Sequence, residues 1–316
     1  MSRSTDRLSS NSPHSNNPDA GQTLQSDAIL MLTAAIWGFA FVAQRVGMEH
    51  LGPFSFNGIR FLMGSLALLP LLWLLPDKKP HPTSTPKGVW FGGLALGLLL
   101  FCGASLQQVG LQYTTAGKAG FITGLYIVLV PVIGLFFAQK TRSITWFGAL
   151  IALAGLYFLT IEKGSGINKG DVLELIGSVF WAAHVLLVGW LAPKHNTLTL
   201  SSIQFAVCGV LSLAVALPLE TITIDAIGKS WLPLAYAGLM STAIAYTLQI
   251  VGQKKAPAAH ASIILSLEAV FAVLGGWLLL DEHLTERALI GCGLMMAGML
   301  ISQDLFFKKN RAKPSV

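Results

Sequence analysis

Glu268 stands in the run ILSLEAVFAVLGGW, a carboxyl group with apolar neighbours on every side. An ionisable side chain in such surroundings is expensive to keep charged, turns toward a bundle interior or a wet cavity, and is a functional candidate by default. The chemistry open to it is proton relay or pairing with a substrate ammonium; a structural carboxyl hydrogen-bonded to a neighbouring helix is the competing account. Three aromatic residues are tied to it by position. Trp37 in IWGFAF and Trp181 in VFWAAH are 144 residues apart (181 − 37), and Tyr126 and Glu268 are 142 apart (268 − 126). The rings of Trp37, Tyr126 and Trp181 suit an apolar side chain or an ammonium, core packing being the alternative. Gln44, Gln107, Gln108, Gln249 and Tyr246 add neutral donors and acceptors able to solvate a zwitterion.

Lys118 and His260 form a further pair 142 residues apart (260 − 118), each near the start of an apolar segment. They are candidate gate residues on opposite membrane sides, and Lys118 is a candidate receiver for a substrate carboxylate unless it snorkels to the interface. His184, one turn beyond Trp181, is a candidate titrating group or else a helix–helix hydrogen-bond donor. Arg45 and Arg60 are expected toward the outer ends of the first two segments, within reach of Glu49, as structural anchors.

The elements that must position these residues are ten apolar segments, read at 27–47, 54–75, 88–110, 117–138, 144–161, 171–191, 199–218, 231–250, 258–280 and 287–306. Apolar residues make up 53% of the chain, charged ones 11%, and the mean hydropathy is +0.64; a soluble domain carries about 25% charged residues. Segments continuous over five turns and without strand alternation imply helices. The fold class is therefore all-α integral membrane, ten transmembrane helices. Landmarks recur in order: Gln107 and Gly110 fall on Gln249 and Gly252, and Gly148 and Gly155 on Gly291 and Gly298. Five spans per copy, an odd number, make the copies two inverted five-helix repeats, covering 27–161 and 171–306. At the helical rise of 1.5 Å per residue, Trp37, Tyr126, Trp181 and Glu268 all come out about 14–15 Å deep, near the bilayer midplane.

Charge sets the orientation. The loops expected inside hold Arg3, Arg7, Lys78, Lys79, Lys87, Lys140, Arg142, Lys194, Lys254, Lys255, Lys308, Lys309, Arg311 and Lys313, against Lys163, Lys169, Lys229 and Arg287 outside. Both termini are expected in the cytoplasm. The net charge of +6 is then a topology signal, and its scatter over short segments argues against a nucleic-acid partner. Residues 1–26 are polar, Ser/Asn-rich and expected disordered, 162–170 reads as the linker between repeats, and 307–316 as a basic cytoplasmic tail. Cys102, Cys208 and Cys292 lie in apolar spans without paired spacing, so inert thiols are expected. Pro131 predicts a kink in the fourth span. The glycines of spans five and ten predict close contact, as scaffold or in a homodimer.

WGFAFV in span one, IRFLMGSLALL in span two, LQYTTAGKAGFITGLYIVLVPV around span four, QKKAPAAHASIILSLEAVFAVLGGWLLLDEHLT around span nine and the following GCGLMMAGML together resemble both copies of the EamA domain of the drug/metabolite transporter superfamily. The resemblance covers nearly everything except the tails. It implies ten helices, a central cavity lined mainly by spans one, three, four, six, eight and nine, and export of amino acids or similar metabolites. The sequence departs from the family in one place: Ala269 follows Glu268 where proline is usual.

The resulting expectation is a secondary transporter of the bacterial inner (plasma) membrane, moving small zwitterionic metabolites outward by alternating access, with proton coupling. A multidrug exporter would need a larger and more apolar cavity. A membrane sensor or lipid scramblase is the rival of another class. HExxH, GxSxG and Walker patterns are missing, so no enzyme, metal, cofactor or intrinsic ATP-driven pump is expected. The partners expected are a small-molecule substrate and membrane lipid.

Overall fold

The structure is a computed structural model that describes residues 20–74, 85–114, 116–160, 168–280 and 285–302. Among the described residues, secondary structure is entirely helical. Three uninterrupted helices open the first repeat: α1 (Ala20–Gly47), α2 (Pro53–Leu74) and α3 (Pro86–Gly110). The fourth span is split into α4 (Ala116–Gly124) and α5 (Tyr126–Phe136), and α6 (Ser143–Thr160) completes the repeat. The second repeat begins with α7 (Lys169–Leu191) and α8 (Thr197–Leu219), followed by the short α9 (Ile224–Lys229). Its third span joins α10 (Trp231–Ala235), a π-helical segment Tyr236–Tyr246 and α11 (Thr247–Gln253). The split span α12 (Ala258–Leu265) and α13 (Glu268–Leu279) precedes α14 (Glu286–Ser302).

Eight of these passages contain an apolar stretch of 19 to 25 residues, long enough to cross a membrane. The remaining two, α6 and α14, have 18 and 17 residues, the short end of what a hydrocarbon core of about 30 Å accepts. Polar caps set several starts. Thr85 Oγ1 accepts from Gly88 N at 3.0 Å ahead of α3, and Asn168 and Asp171 close a reciprocal capping box on α7.

Packing follows a two-fold exchange of the repeats. Helix α6 lies on α14 and α2 on α8, each a span against its own counterpart. Helix α3 packs on α7 and α8, while the π-containing span packs on α1 and α2. Helices α4 and α5 lie on α7, and α12 and α13 on α1. The expected glycine contact is between α6 and α14. A Cβ on Gly155 would stand 2.6 Å from Gly291 O, and one on Gly298 2.5 Å from Gly148 O. Gly293 faces open space.

Three expectations change. Helix α1 already begins at Ala20, so the end of the expected 1–26 tail is helical; 1–19, most of the loop after span two, most of the 162–170 linker and the 307–316 tail lie outside the described residues. The fourth span is interrupted at Leu125, whereas Pro131 lies inside α5. Helix α9 and the π-helical segment had no counterpart in the hydropathy pattern.

Candidate functional site

The two split spans are interrupted at equivalent places. Leu125 separates α4 from α5, and Ser266 and Leu267 separate α12 from α13, so Tyr126 and Glu268 each open the second half-helix. At both breaks the backbone tightens into three-residue bonds, Leu125 N to Ile122 O at 3.2 Å and Leu267 N to Ile264 O at 3.1 Å. The break in span nine forms with Ala269, not a proline, after Glu268. Tyr126 Oη and Glu268 Oε1 are 3.2 Å apart, the phenol donating.

Around this pair is a central cavity lined by Trp37, Ala40, Phe41, Gln44, Arg60, Gln107, Thr123, Tyr126, Trp181, Val185, Ser241, Tyr246, Gln249 and Glu268. Its volume is about 40 Å³. Tyr246 organises the aromatic wall: its ring centroid is 4.6 Å from that of Trp37 and 6.3 Å from the nearly parallel ring of Trp181. Trp37 Nε1 donates to Ser241 O at 3.2 Å, reaching a carbonyl of the π-helical segment. Within that segment Thr242 Oγ1 donates to Ala237 O at 2.7 Å, five residues back.

Several lining groups have unused capacity. Trp181 Nε1, a donor, and Gln44 Oε1 and Gln249 Oε1, acceptors, are buried without a hydrogen-bond partner in the protein. Arg60, 2% exposed, donates from Nε to Asn57 Oδ1 at 2.9 Å, and its guanidinium lies over the Phe61 ring, 4.4 Å from the centroid. Among the described residues no carboxylate pairs with Arg60. The cavity therefore contains one cation and one acidic group within an otherwise neutral lining.

Trp37, Gln107, Tyr126, Trp181, Tyr246, Gln249 and Glu268, which the sequence singles out, line one space. Lys118, His184 and His260 do not. Lys118 Nζ is 2.6 Å from Asp171 Oδ2, and Thr114 Oγ1 donates to Asp171 Oδ1 at 2.8 Å. His260 Nε2 is 2.9 Å from Asp27 Oδ1, with Nδ1 3.0 Å from Ser302 Oγ. Asp27 and Asp171 are themselves 144 residues apart (171 − 27), so these are two copies of one clasp, at opposite ends of the bundle. Lys118 is thus paired with Asp171 and lies away from the cavity lining in this structure. His184 lies behind the aromatic wall, Nε2 2.9 Å from Gln204 Oε1. Arg60 is the opposite correction: the expected outer anchor is buried at the cavity, because Asn57, itself bound to Ala104 O at 3.0 Å, draws it inward.

Sequence reasoning missed Asp27, Asp171 and Glu174. The signal for the two aspartates was their shared repeat register. Glu174 is fully buried, its Oε2 3.0 Å from Thr123 Oγ1.

The EamA-like transporter family model matches the chain twice, at 25–161 and 168–302. An uncharacterized transporter of Archaeoglobus fulgidus is 32% identical over 283 residues, covering 88% of this chain and 85% of its own. The uncharacterized inner membrane transporter YedA of Escherichia coli is 28% identical over 279 residues, 84% of this chain and 86% of its own. A solved crystal structure, 18% identical, superposes with a TM-score of 0.74 over 92% of this chain and 99% of its own, and so shares the fold. With both halves matched and relatives aligned over most of their length, the chain belongs to the EamA-like transporter family of the drug/metabolite transporter superfamily.

Proposed function

We propose that this multi-pass membrane protein is a secondary carrier that exports small zwitterionic metabolites, amino acids foremost. The observation that carries the reading is that the cavity's spare groups come in both polarities. Arg60 and the unpartnered Trp181 Nε1 suit a carboxylate, while Glu268 with the free Gln44 Oε1 and Gln249 Oε1 suits an ammonium. Trp37, Tyr126 and Tyr246 would enclose what lies between. Charged groups buried without full pairing are costly, and a ligand of complementary charges would offset that cost. A drug exporter, by contrast, calls for a wider apolar space.

Alternating access would use the two clasps. The contacts Lys118–Asp171 and His260–Asp27, both closed in this structure, would be the gates at the two ends of the bundle. Opening one clasp at a time would expose the cavity to one side, the split spans supplying the give. The basic loops point to cytoplasmic termini, with α1 and its Asp27–His260 clasp starting on the inner face of the plasma membrane. The transporter family match and the transporter names of the relatives favour a carrier over an enzyme.

The test is counter-flow in proteoliposomes loaded with a mixture of unlabelled amino acids. Saturable exchange with at least one labelled amino acid is expected. No exchange across the whole panel would rule the reading out.

A further inference from the structure

Glu174 is a buried acid that the cavity chemistry leaves unused. It lies on α7 one turn beyond Asp171, and no part of it is exposed. Its Oε2 accepts from Thr123 Oγ1 at 3.0 Å, and Thr123 Oγ1 accepts from Gln107 Nε2 at 3.4 Å. Its Oε1 has no partner in the protein. The charges that act on it, Asp171 on its own helix and Glu268 on α13, are both acidic. The helices packed on α7 carry Lys87 and Cys102 on α3, Lys118 on α4, Tyr126 on α5 and His260 on α12 as titratable groups, and α11 carries none; Lys87 lies at the end of α3 beside His195, away from Glu174. Of these, Lys118, Tyr126 and His260 are bonded to Asp171, Glu268 and Asp27. An ionised Glu174 would have one neutral hydrogen bond and no cation of its own, Lys118 being paired with Asp171, whereas a proton removes the charge outright.

Packing does not require a carboxyl at this place. In the repeat register Glu174 falls on Leu30 (174 − 144), Thr123 on Leu265 (123 + 142) and Gly110 on Gly252 (110 + 142). A Cβ on Gly110 would stand 2.8 Å from Glu174 Oε1, and one on Gly252 2.8 Å from Leu30 Cδ2. The same close approach is thus built twice, around an isobutyl group in one half and a carboxyl in the other. Leu30 and Leu265 both belong to the apolar core, so the mirror position fills the space without polar atoms.

We propose that Glu174, with Thr123 and Gln107, is a proton-binding site, and that substrate movement is coupled to the proton held there. Thr123 and Gln107 also line the cavity, so one hydroxyl and one amide stand between the bound proton and the bound substrate. The proton would enter from one face of the membrane and leave to the other, with Glu174 alternating between acid and carboxylate as the clasps open. The coupling rests on the carrier reading above; the proton site does not.

The test has two arms. Infrared spectroscopy of the purified full chain follows the C=O stretch of protonated carboxyl groups as pH is raised. Glu174→Gln is expected to lose a component of that band which Glu268→Gln retains, while Glu174→Leu, copying the mirror repeat, is expected to stay folded by its unfolding temperature. In proteoliposomes with a labelled amino-acid mixture, Glu174→Gln is expected to keep exchange at equal pH and to lose accumulation driven by a pH gradient. An unchanged carboxyl band in Glu174→Gln overturns the proton site. A lost band with gradient-driven accumulation intact overturns the coupling. If the wild-type chain exchanges no amino acid, the zwitterion reading fails, and the infrared arm still decides the site.

Discussion

Tyr126 and Glu268 are 142 residues apart in the chain and 3.2 Å apart in space. That interval is the register of the internal repeat, and each residue opens the second half of a split span. A side chain and its own repeat counterpart touch only near the axis that relates the two halves. The cavity therefore lies at the symmetry centre of the bundle, and the symmetry is broken there by chemistry, a phenol facing a carboxyl.

Glu268 is assigned to the substrate ammonium, and its neutral isostere tests this. Glu268→Gln should weaken half-saturation for a zwitterion roughly ten- to a hundredfold, the loss of a charged hydrogen bond of about 1.5–3 kcal/mol. Its unfolding temperature in detergent should be unchanged or higher, since the replaced group is buried. Equal exchange kinetics in the variant and the parent would contradict the assignment.

Arg60 is assigned to the carboxylate. Arg60→Gln should reduce exchange of an amino acid by a similar factor, about 1.5–3 kcal/mol. Arg60→Lys should recover only part of it, because an ammonium lacks the fork that holds both carboxylate oxygens. The check is the half-saturation concentration of each variant at saturating counter-substrate.

The paired clasps predict opposite phenotypes from equivalent substitutions. With Cys102, Cys208 and Cys292 replaced by alanine and a reporter introduced as Ser241→Cys in the cavity wall, Asp171→Asn should raise labelling by an impermeant thiol reagent from outside. Asp27→Asn should raise it from inside. Labelling from the same side in both variants would mean that the two contacts are not alternate gates.

Stability should be most sensitive where α6 meets α14. Gly155→Val places its Cβ against Gly291 O at 2.6 Å and Met295 N at 2.6 Å, backbone that cannot step aside. A loss of about 1–3 kcal/mol is expected, read as a lower unfolding temperature, with transport kinetics of the surviving protein unaltered. Gly293→Ala, facing open space, is the neutral control.

Most of the architecture was legible because hydrophobic length and repeat register are properties of the sequence itself. Trp37, Trp181, Tyr126 and Glu268 could be placed together by counting alone. Ion-pair partners were harder: Asp27 and Asp171 sit at span entrances and look like solvated boundary residues until the fold brings His260 and Lys118 onto them. Arg60 was misplaced because its depth depends on Asn57 and on the Ala104 carbonyl, contacts across helices that no spacing reveals. The π-helical segment YAGLMSTAIAY carries no composition signal, since widening the turn by one residue depends on what packs against it. Glu174 was the avoidable omission, as the register places it opposite Leu30 and marks it as a departure from the repeat.

The central claim, that one cavity holds both ends of a zwitterion between Arg60 and Glu268, is tested most directly by counter-flow with three relatives of one exchanged amino acid: the amino acid, the amine lacking its carboxylate, and the acid lacking its amino group. The account predicts saturable exchange for the amino acid and little for either truncated form. Equal exchange of all three, or exchange of the amine alone, would contradict it.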